Sequence, residues 1–466
     1  MRYYIIAGEA SGDLHGSNLM KGLYAEDPDA RMRFWGGGLM EAVWKEKDGA
    51  ADGGLVVDYK EGAVMGFWEV LMKARSLTKK IERCKADILA YKPDVVILID
   101  YPGFNFKIAE FAHEKGLKVF YYIAPKVWAS RESRIKKLKR DVDKLFIVFP
   151  FEEDYFKRKG VPYVYCGNPL IDAIDNSEAL RETREEFLAK TGLPDARFVA
   201  LLAGSRGNEL AFMMPRLVEL ADRMHALPQY ADWHFLLAGA PSRTPADYEK
   251  YIGADRPYLH VIFDQTYAIL RHSEAAVIKS GTASLEGVLI GTPQVVGYGS
   301  NSNISYLIGR QIIRVKYISL GNLIIDRGAF RELLQQYCTA DSLMTEVRRL
   351  LEDDAYRDRM KADYADIRQR LGGSGASAAV ARAMIAELRE YSRGPKRSVP
   401  MRTMVAPWRT AIGQSPDMPM ESSVSWGYSA WRELNRDSMR EKSASMTASS
   451  SVLVAIPIKP RMDILL

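Results

Sequence analysis

Short, mainly apolar runs that stop at a turn and pass into a helix set the frame for this chain. The plainest is Val95-Val96-Ile97-Leu98-Ile99, followed by Asp100, the Pro102-Gly103 turn and a helix opening at Phe104. A mostly β-branched run with no polar alternation fits a strand buried on both faces, which means a parallel sheet covered by helices. The same unit recurs at Tyr3–Ala7, Leu117–Ile123, Lys144–Phe149, Phe198–Ala203, Trp233–Ala238, Leu259–Phe263, Ala275–Ile278 and Gln294–Tyr298. The pattern predicts an α/β protein built from Rossmann-like, doubly wound sheets. In such sheets ligands bind beyond the carboxyl ends of the strands. Asp100 therefore stands where a catalytic carboxylate stands; the plainer alternative is a helix-capping aspartate.

The chain is 466 residues long, too long for one small core. The break at Gly167-Asn168-Pro169, running to about Ser177, suits a hinge between residues 1–170 and 171–393. The alternation restarts after it, and from Phe330 to Tyr391 the pattern is helical. Two Rossmann-like domains facing a cleft, with a helical C-terminus, is the expected architecture. Residues 394–466, rich in Ser, Met and Pro without sustained periodicity, read as a disordered tail. That segment carries ten Lys/Arg against six Asp/Glu, so it holds +4 of the overall +6. The rest has no basic field suited to nucleic acid. Cys84, Cys166 and Cys338 lie far apart and read as free thiols of a reducing compartment. Neither a signal peptide nor a membrane-spanning run is expected, so any membrane contact is peripheral.

Three glycine-bearing turns carry the candidate chemistry. Gly8-Glu9-Ala10-Ser11-Gly12-Asp13 lies between the first strand and a helix from about Leu14 to Tyr24, with Ser11 and Gly12 as candidate contacts to phosphate or sugar. Gly204-Ser205-Arg206, with Glu209 in the helix that follows, and Ser280-Gly281-Thr282 suit a diphosphate. Arg206 offers a bidentate partner for phosphate, and Glu286, one turn into its helix, suits a ribose diol. A tight, ligand-free turn is the plain alternative for each alone; two such loops in one domain favour a nucleotide. No metal or other cofactor is expected. Asp27-Pro28-Asp29 and Asp141-Val142-Asp143 have DxD spacing, but one sits in a turn and the other beside a basic stretch. The six histidines form no zinc pattern, and His15 fits local packing better than catalysis. The cations between Arg131 and Arg140 read as a solvated face, or as a surface for an anionic substrate or lipid.

A further cluster stands before the helix that begins near Val70. Met65, Phe67 and Trp68 lie in a glycine-flanked stretch with Val64. Such a cluster either plugs into the core or forms an apolar surface that meets acyl chains or a membrane interface.

Taken together, Gly8–Asp13, Val64-Met65-Gly66, Ile99–Asn105, Pro125-Lys126-Val127-Trp128-Ala129, Gly204–Arg206, Ser280–Glu286 and Leu320-Gly321-Asn322-Leu323 closely resemble the lipid-A-disaccharide synthase family. The motifs keep the family's order over residues 1 to about 393. Lys126 and Ser130 depart from its Pro-Ser/Gln-Val-Trp-Ala-Trp pattern, and the tail has no counterpart in it. The resemblance implies the type-B glycosyltransferase fold and a metal-independent, inverting transfer. The donor implied is UDP-2,3-diacylglucosamine; the acceptor is 2,3-diacylglucosamine 1-phosphate. The product is the β-1,6 disaccharide of lipid A, made at the cytoplasmic face of the inner membrane, in a family associated with homodimers. On that footing Asp100 is the candidate general base, and Arg206 and the two helix starts receive the diphosphate. Asn105 and Asn322 are candidates for positioning sugar or phosphate oxygens. The same residues leave open a UDP-N-acetylglucosamine 2-epimerase-like enzyme, or a non-catalytic UDP-sugar-binding membrane scaffold.

If the Met65/Phe67/Trp68 cluster meets lipid, replacing Phe67 and Trp68 together by Ser lowers co-sedimentation with liposomes. Unaltered partitioning returns the cluster to the core.

Overall fold

A computed structural model describes residues 1–49, 52–61, 69–129, 131–253, 256–300 and 316–392. Met65, Phe67, Trp68, Ser130 and the segment 394–466 lie outside the described residues. The apolar runs become strands of two parallel sheets. The first holds β1 (Arg2–Ala7), β2 (Arg31–Gly36), β3 (Gly54–Asp58), β4 (Val95–Ile99), β5 (Lys118–Tyr122), β6 (Lys144–Ile147) and β7 (Tyr163–Tyr165), in the order β3-β2-β1-β4-β5-β6-β7. The second holds β8 (Phe198–Leu202), β9 (His234–Gly239), β10 (Leu259–Phe263), β11 (Ala275–Lys279), β12 (Gln294–Tyr298) and β13 (Glu332–Leu334), in the order β10-β9-β8-β11-β12-β13. Strand order therefore reverses between β1 and β4, and again between β8 and β11. Those are the positions where an open α/β sheet leaves a crevice.

Burial follows the pleat. Tyr3, Ile5 and Ala7 of β1 pack on one face with Val95, Ile97 and Ile99 of β4, while Tyr4, Ile6, Val96 and Leu98 pack on the other. The first of these faces joins a core that continues through Leu170, Ile171 and Leu371 to Val199, Leu201 and Val277 of the second sheet. The outer faces have cores of their own. The two sheets thus share their inner hydrophobic layer, which stabilises the pair at roughly 25 cal/mol per Å² of apolar surface buried.

Several elements depart from the sequence expectation. The first helix starts at Ala10 and runs to Glu26, so Ser11 and Gly12 occupy its first turn rather than a loop. A helix at Gly38–Lys47 follows the glycine run; its start is capped from a distance. Asp13 accepts hydrogen bonds from the backbone N–H groups of Gly37 (2.8 Å), Leu39 (3.1 Å) and Met40 (3.1 Å). The expected hinge contains a helix, Pro169–Asp175, whose start is held by Asn168 accepting from the Leu170 N–H (2.9 Å). Strand β13 lies inside the stretch read as helical.

The last helix, Ala376–Ser392, packs along Ala10–Glu26 beside the first sheet. A Cβ at Gly22 would come within 2.9 Å of Ala381 Cβ, so this crossing depends on a glycine there. Asp172 anchors the start of the returning helix by accepting from the N–H groups of Gly375 and Ser377.

Asp13 is 3% exposed, so its three hydrogen bonds have little competition from water. Replacing it by Ala leaves the buried Gly37 and Met40 N–H groups, and the partly buried one of Leu39, without this acceptor. Asp13→Ala is expected to cost about 2–4 kcal/mol, read as a lowered denaturation midpoint; an unchanged midpoint would show that water replaces the carboxylate.

Candidate active site

Strand register brings the turns together. In the first sheet Ala7 of β1 pairs with Ile99 of β4, so Gly8 and Asp100 emerge side by side. In the second, Ile278 of β11 pairs with Leu202 of β8, so Gly204 and Ser280 leave the sheet at the same edge. Both sets stand at the strand-order reversals.

Asp100 and Tyr101 both have left-handed backbone, with φ of 43° and 46°. Two such non-glycine residues in succession are strained, and the surroundings hold them. The Asp100 N–H donates to the Tyr122 carbonyl (3.1 Å). Its own carbonyl accepts from Tyr121 Oη (2.6 Å) and from Asn105 Nδ2 (2.8 Å), which also donates to the Ile99 carbonyl (3.2 Å). The Tyr101 ring lies over Gly8, where a Cβ would meet it at 2.3 Å.

Burial raises the Asp100 carboxyl above the usual aspartate range. Lys126 and Arg206 oppose that rise, and Glu9 adds to it. These partners come from both sheets. Arg206, on the loop after β8, donates to Glu9 Oε1 on the loop after β1 (3.2 Å), across 197 residues of sequence. Arg206 also approaches Glu209 (3.9 Å) and is 70% exposed.

Glu209 closes the Gly204-Ser205-Arg206 turn. Its Oε2 accepts from the N–H groups of Ser205 (3.0 Å) and Arg206 (3.2 Å), and its Oε1 pairs with Lys279. Two N–H groups expected to face a diphosphate are thus occupied by this carboxylate. The positive charge around the loop comes from side chains: Arg206, Lys279, and Arg243, whose Nε donates to the Ser205 carbonyl (2.7 Å). The second loop is open. Nothing lies within 4 Å of a Cβ placed on Gly281, Ser280 is buried, and Thr282 starts the Thr282–Ile290 helix. Glu286 of that helix accepts from Tyr267 Oη (3.4 Å), and burial pushes its carboxyl up to about 7.

Lys126 is exposed to solvent, yet the walls around it lower its pKa from the usual lysine value. Asp100 and Glu152 counter that effect, while Lys279 and Arg206 reinforce it. Behind Lys126, Glu152 is only 1% exposed and is pushed up to about 7 by burial. It accepts from Trp128 Nε1 (2.9 Å) and from the N–H groups of Val148 (3.2 Å) and Phe149 (3.1 Å), fixing the Pro125–Ala129 loop.

The remaining candidates divide plainly. Ser11 is exposed on the first helix turn, whereas Gly12 is buried against Ala7. Asn105 is fully buried and acts on the site through the Asp100 backbone. Asn322 is also buried: its amide donates to the Phe330 carbonyl (3.0 Å) and Glu332 (2.9 Å), and its oxygen accepts from the Ala329 N–H (2.9 Å). The Asn322 amide is thus taken up by its neighbours, whereas Asn105 Oδ1 is buried without a hydrogen-bond partner among the described residues. His15 is buried, with burial lowering its pKa to about 4. Of the DxD carboxylates, Asp27 accepts from the Met1 amino group and Tyr3, Asp141 pairs with Arg140, and Asp143 with Lys118. Lys126, Arg243 and Lys279 are not legible as candidates in the sequence, because each takes its place from neighbours distant in the chain; Glu152 joins the distant Trp128 to the local Val148 and Phe149 N–H groups. Glu152, three residues after the Phe149 helix cap, had a readable capping-box position.

The family model described as lipid-A-disaccharide synthetase matches residues 3–385. A lipid-A-disaccharide synthase of Geobacter metallireducens is 38% identical over 381 residues, covering 82% of this chain and 95% of the relative. That of Myxococcus xanthus is 33% identical over 385 residues, covering 82% and 97%. Among solved structures, the UDP-GlcNAc 2-epimerase of Neisseria meningitidis bound to UDP-GlcNAc aligns with a TM-score of 0.60 at 14% identity, over 83% of this chain and all of the other. A UDP-N-acetylglucosamine 2-epimerase from Listeria monocytogenes gives 0.56 at 15% identity, over 85% and 98%. At that identity the likeness concerns the fold.

A solvent-facing lysine with a depressed pKa holds more free amine at neutral pH than its neighbours. In competitive acetylation of the native protein near pH 7.5, Lys126 should be modified several-fold faster than the average lysine, read by peptide mass spectrometry. Labelling at the average rate would mean that Asp100 and Glu152 outweigh the crowding.

Proposed function

The chain belongs to the lipid-A-disaccharide synthase family, and from that premise we propose that Asp100 is the base of an inverting glycosyl transfer between its two sheets. The reaction moves 2,3-diacylglucosamine from its UDP derivative to 2,3-diacylglucosamine 1-phosphate and releases UDP. An α-linked donor giving a β-linked product needs one in-line displacement. The acceptor 6-hydroxyl attacks the anomeric carbon and its proton passes to the Asp100 carboxylate as the bond to the diphosphate breaks. The observation that carries this reading is the charge pattern across the cleft. Asp100 at the reversal of the first sheet interacts electrostatically with Arg206 at the reversal of the second, and Arg206 is itself bonded to Glu9.

Arg206, Lys279 and Arg243 receive the diphosphate, whose negative charge grows as it leaves. An incoming diphosphate competes with Glu209 and Glu9 for Arg206 and Lys279, so release of UDP restores pairs already present in the free protein. Glu286 accepts the two ribose hydroxyls of the donor. Lys126 opposes the upward shift of Asp100 and so keeps a share of the base ionised. The epimerase reading shares this fold, but the relatives that match at 31–38% identity bear the synthase name.

Among the described residues no helix is long and apolar enough to cross a membrane. Both substrates carry acyl chains, and we assign their membrane side to the Met65/Phe67/Trp68 segment, at the cytoplasmic face of the inner membrane. A homodimer is part of this proposal on family grounds.

With the acylated donor and acceptor, Asp100→Ala should reduce turnover by about 10²-fold or more while UDP still binds; near-normal turnover removes Asp100 from that role. A diol binds the charged form of Glu286. Its carboxyl, near 7 in the empty site, must lose its proton, so donor affinity falls as pH drops below 7. The fall approaches about tenfold per pH unit, and Glu286→Gln flattens it. A profile unchanged by that substitution assigns the ribose to another group.

A further inference from the structure

The opposite end of the second sheet holds a cavity of about 380 Å³. Its walls come from the residues that precede the strands: Arg197 before β8, Ser273 and Glu274 before β11, Thr292 and Pro293 before β12. Arg271, Arg357 and Lys361 reach it from the Thr266–His272 and Asp354–Leu371 helices. The cleft loops leave the other ends of the same strands. Strand β11 is five residues long, so the cavity lies roughly 15 Å from Ser280.

The charge at this cavity is unbalanced. Arg197 is paired with Glu274 and stacked on Trp233. Arg357 is paired with Asp354 and donates to the Leu350 and Leu351 carbonyls. Among the described residues, neither Arg271 nor Lys361 has a carboxylate partner. Lys361 stands four residues after Arg357 on one helix face, a spacing that is unfavourable for like charges unless an anion lies between them. A second observation is independent of charge. Ser273 is 8% exposed, and its Oγ is buried without a hydrogen-bond partner among the described residues. A buried hydroxyl with no partner calls for an explanation, and a ligand oxygen supplies one once the side chains that close off the Oγ move aside.

We propose that this cavity binds a phosphate-bearing anion, with Arg271 and Lys361 supplying the uncompensated charge and Ser273 Oγ donating to a phosphate oxygen. Two unpaired cations match a phosphate monoester dianion, and guanidinium with ammonium is a suitable donor set for it. The phosphate comes either from a soluble ester or from a lipid headgroup. The site is distinct from the diphosphate-receiving loops, so occupancy of one does not exclude the other.

The test uses the full chain with saturating UDP, which fills the cleft, and titrates inorganic phosphate at constant ionic strength by calorimetry. The expected result is one saturable phosphate site. The R271A/K361A double variant should weaken it at least tenfold and Ser273→Ala several-fold, with UDP affinity unchanged in both. Arg271 and Lys361 are exposed, so their truncation leaves the core intact. A parallel arm compares sedimentation with phosphatidic acid and phosphatidylcholine vesicles. Loss of phosphatidic-acid-selective binding in the double variant identifies a lipid headgroup; phosphate binding without it identifies a soluble ester. Equal phosphate and vesicle binding by wild type and double variant, or neither in the wild type, overturns the proposal. Comparison between variants holds whether or not UDP occupies the cleft.

Discussion

Parallel pairing of β1 with β4 and of β8 with β11 is the constraint on which the site depends. A strand buried on both faces has to be flanked by helices, and the crossover helices return every strand in the same direction. All carboxyl ends then emerge at one edge of each sheet. Where strand order reverses, adjacent loops diverge to opposite faces and leave room between them. Asp100 and Gly8 at one reversal, and the Gly204 and Ser280 turns at the other, owe their places to this geometry. The strained backbone at Asp100 and Tyr101 is tolerable because the neighbouring strand, Tyr121 and Asn105 supply it with hydrogen bonds.

What the sequence made legible follows from how far each signal reaches along the chain. Runs such as Val95–Ile99 and Phe198–Leu202 carry their own evidence, since burial on both faces is written into consecutive residues. The Gly38–Lys47 helix was hidden because its cap, Asp13, lies in another element. Strand β13 has three residues and includes Glu332, too few to show a period. Pro169–Asp175 was read as a linker although Asn168 and Pro169 are ordinary helix-start residues. At the site, Asp100, Arg206 and Glu286 could be picked out from residue type and position in their turns. Glu9, Lys126, Glu152 and Lys279 could not, because their importance lies in the charges they meet. Asn105 and Asn322 show the converse: a polar residue inside a motif whose amide serves the backbone around it.

Charge organisation sets the two ends of the second sheet apart. At the cleft, cations and carboxylates alternate: Arg206 with Glu9 and Glu209, Lys279 with Glu209, Lys126 between Asp100 and Glu152. Such a site stays nearly compensated when empty, and an anionic ligand substitutes for groups already there. At the amino ends of β8 and β11 the pairs Arg197–Glu274 and Arg357–Asp354 leave Arg271 and Lys361 over. At the cleft each cation has a carboxylate near it; at the other end Arg271 and Lys361 have no carboxylate partner among the described residues.

The chain passes between the sheets twice, once after β7 and once on the return to Ala376–Ser392, and the two passages touch. Tyr165 Oη donates to the Leu371 carbonyl (3.3 Å), Asp175 meets Arg368 and Ser374, and Asp172 holds the start of the returning helix. Two covalent tethers fastened to each other join the two halves at one place, residues 165–176 and 371–377. The Arg206–Glu9 bond joins the loops after β8 and β1 without belonging to either tether, so a ligand that draws Arg206 away from Glu9 breaks that bond and leaves the tethers as they are.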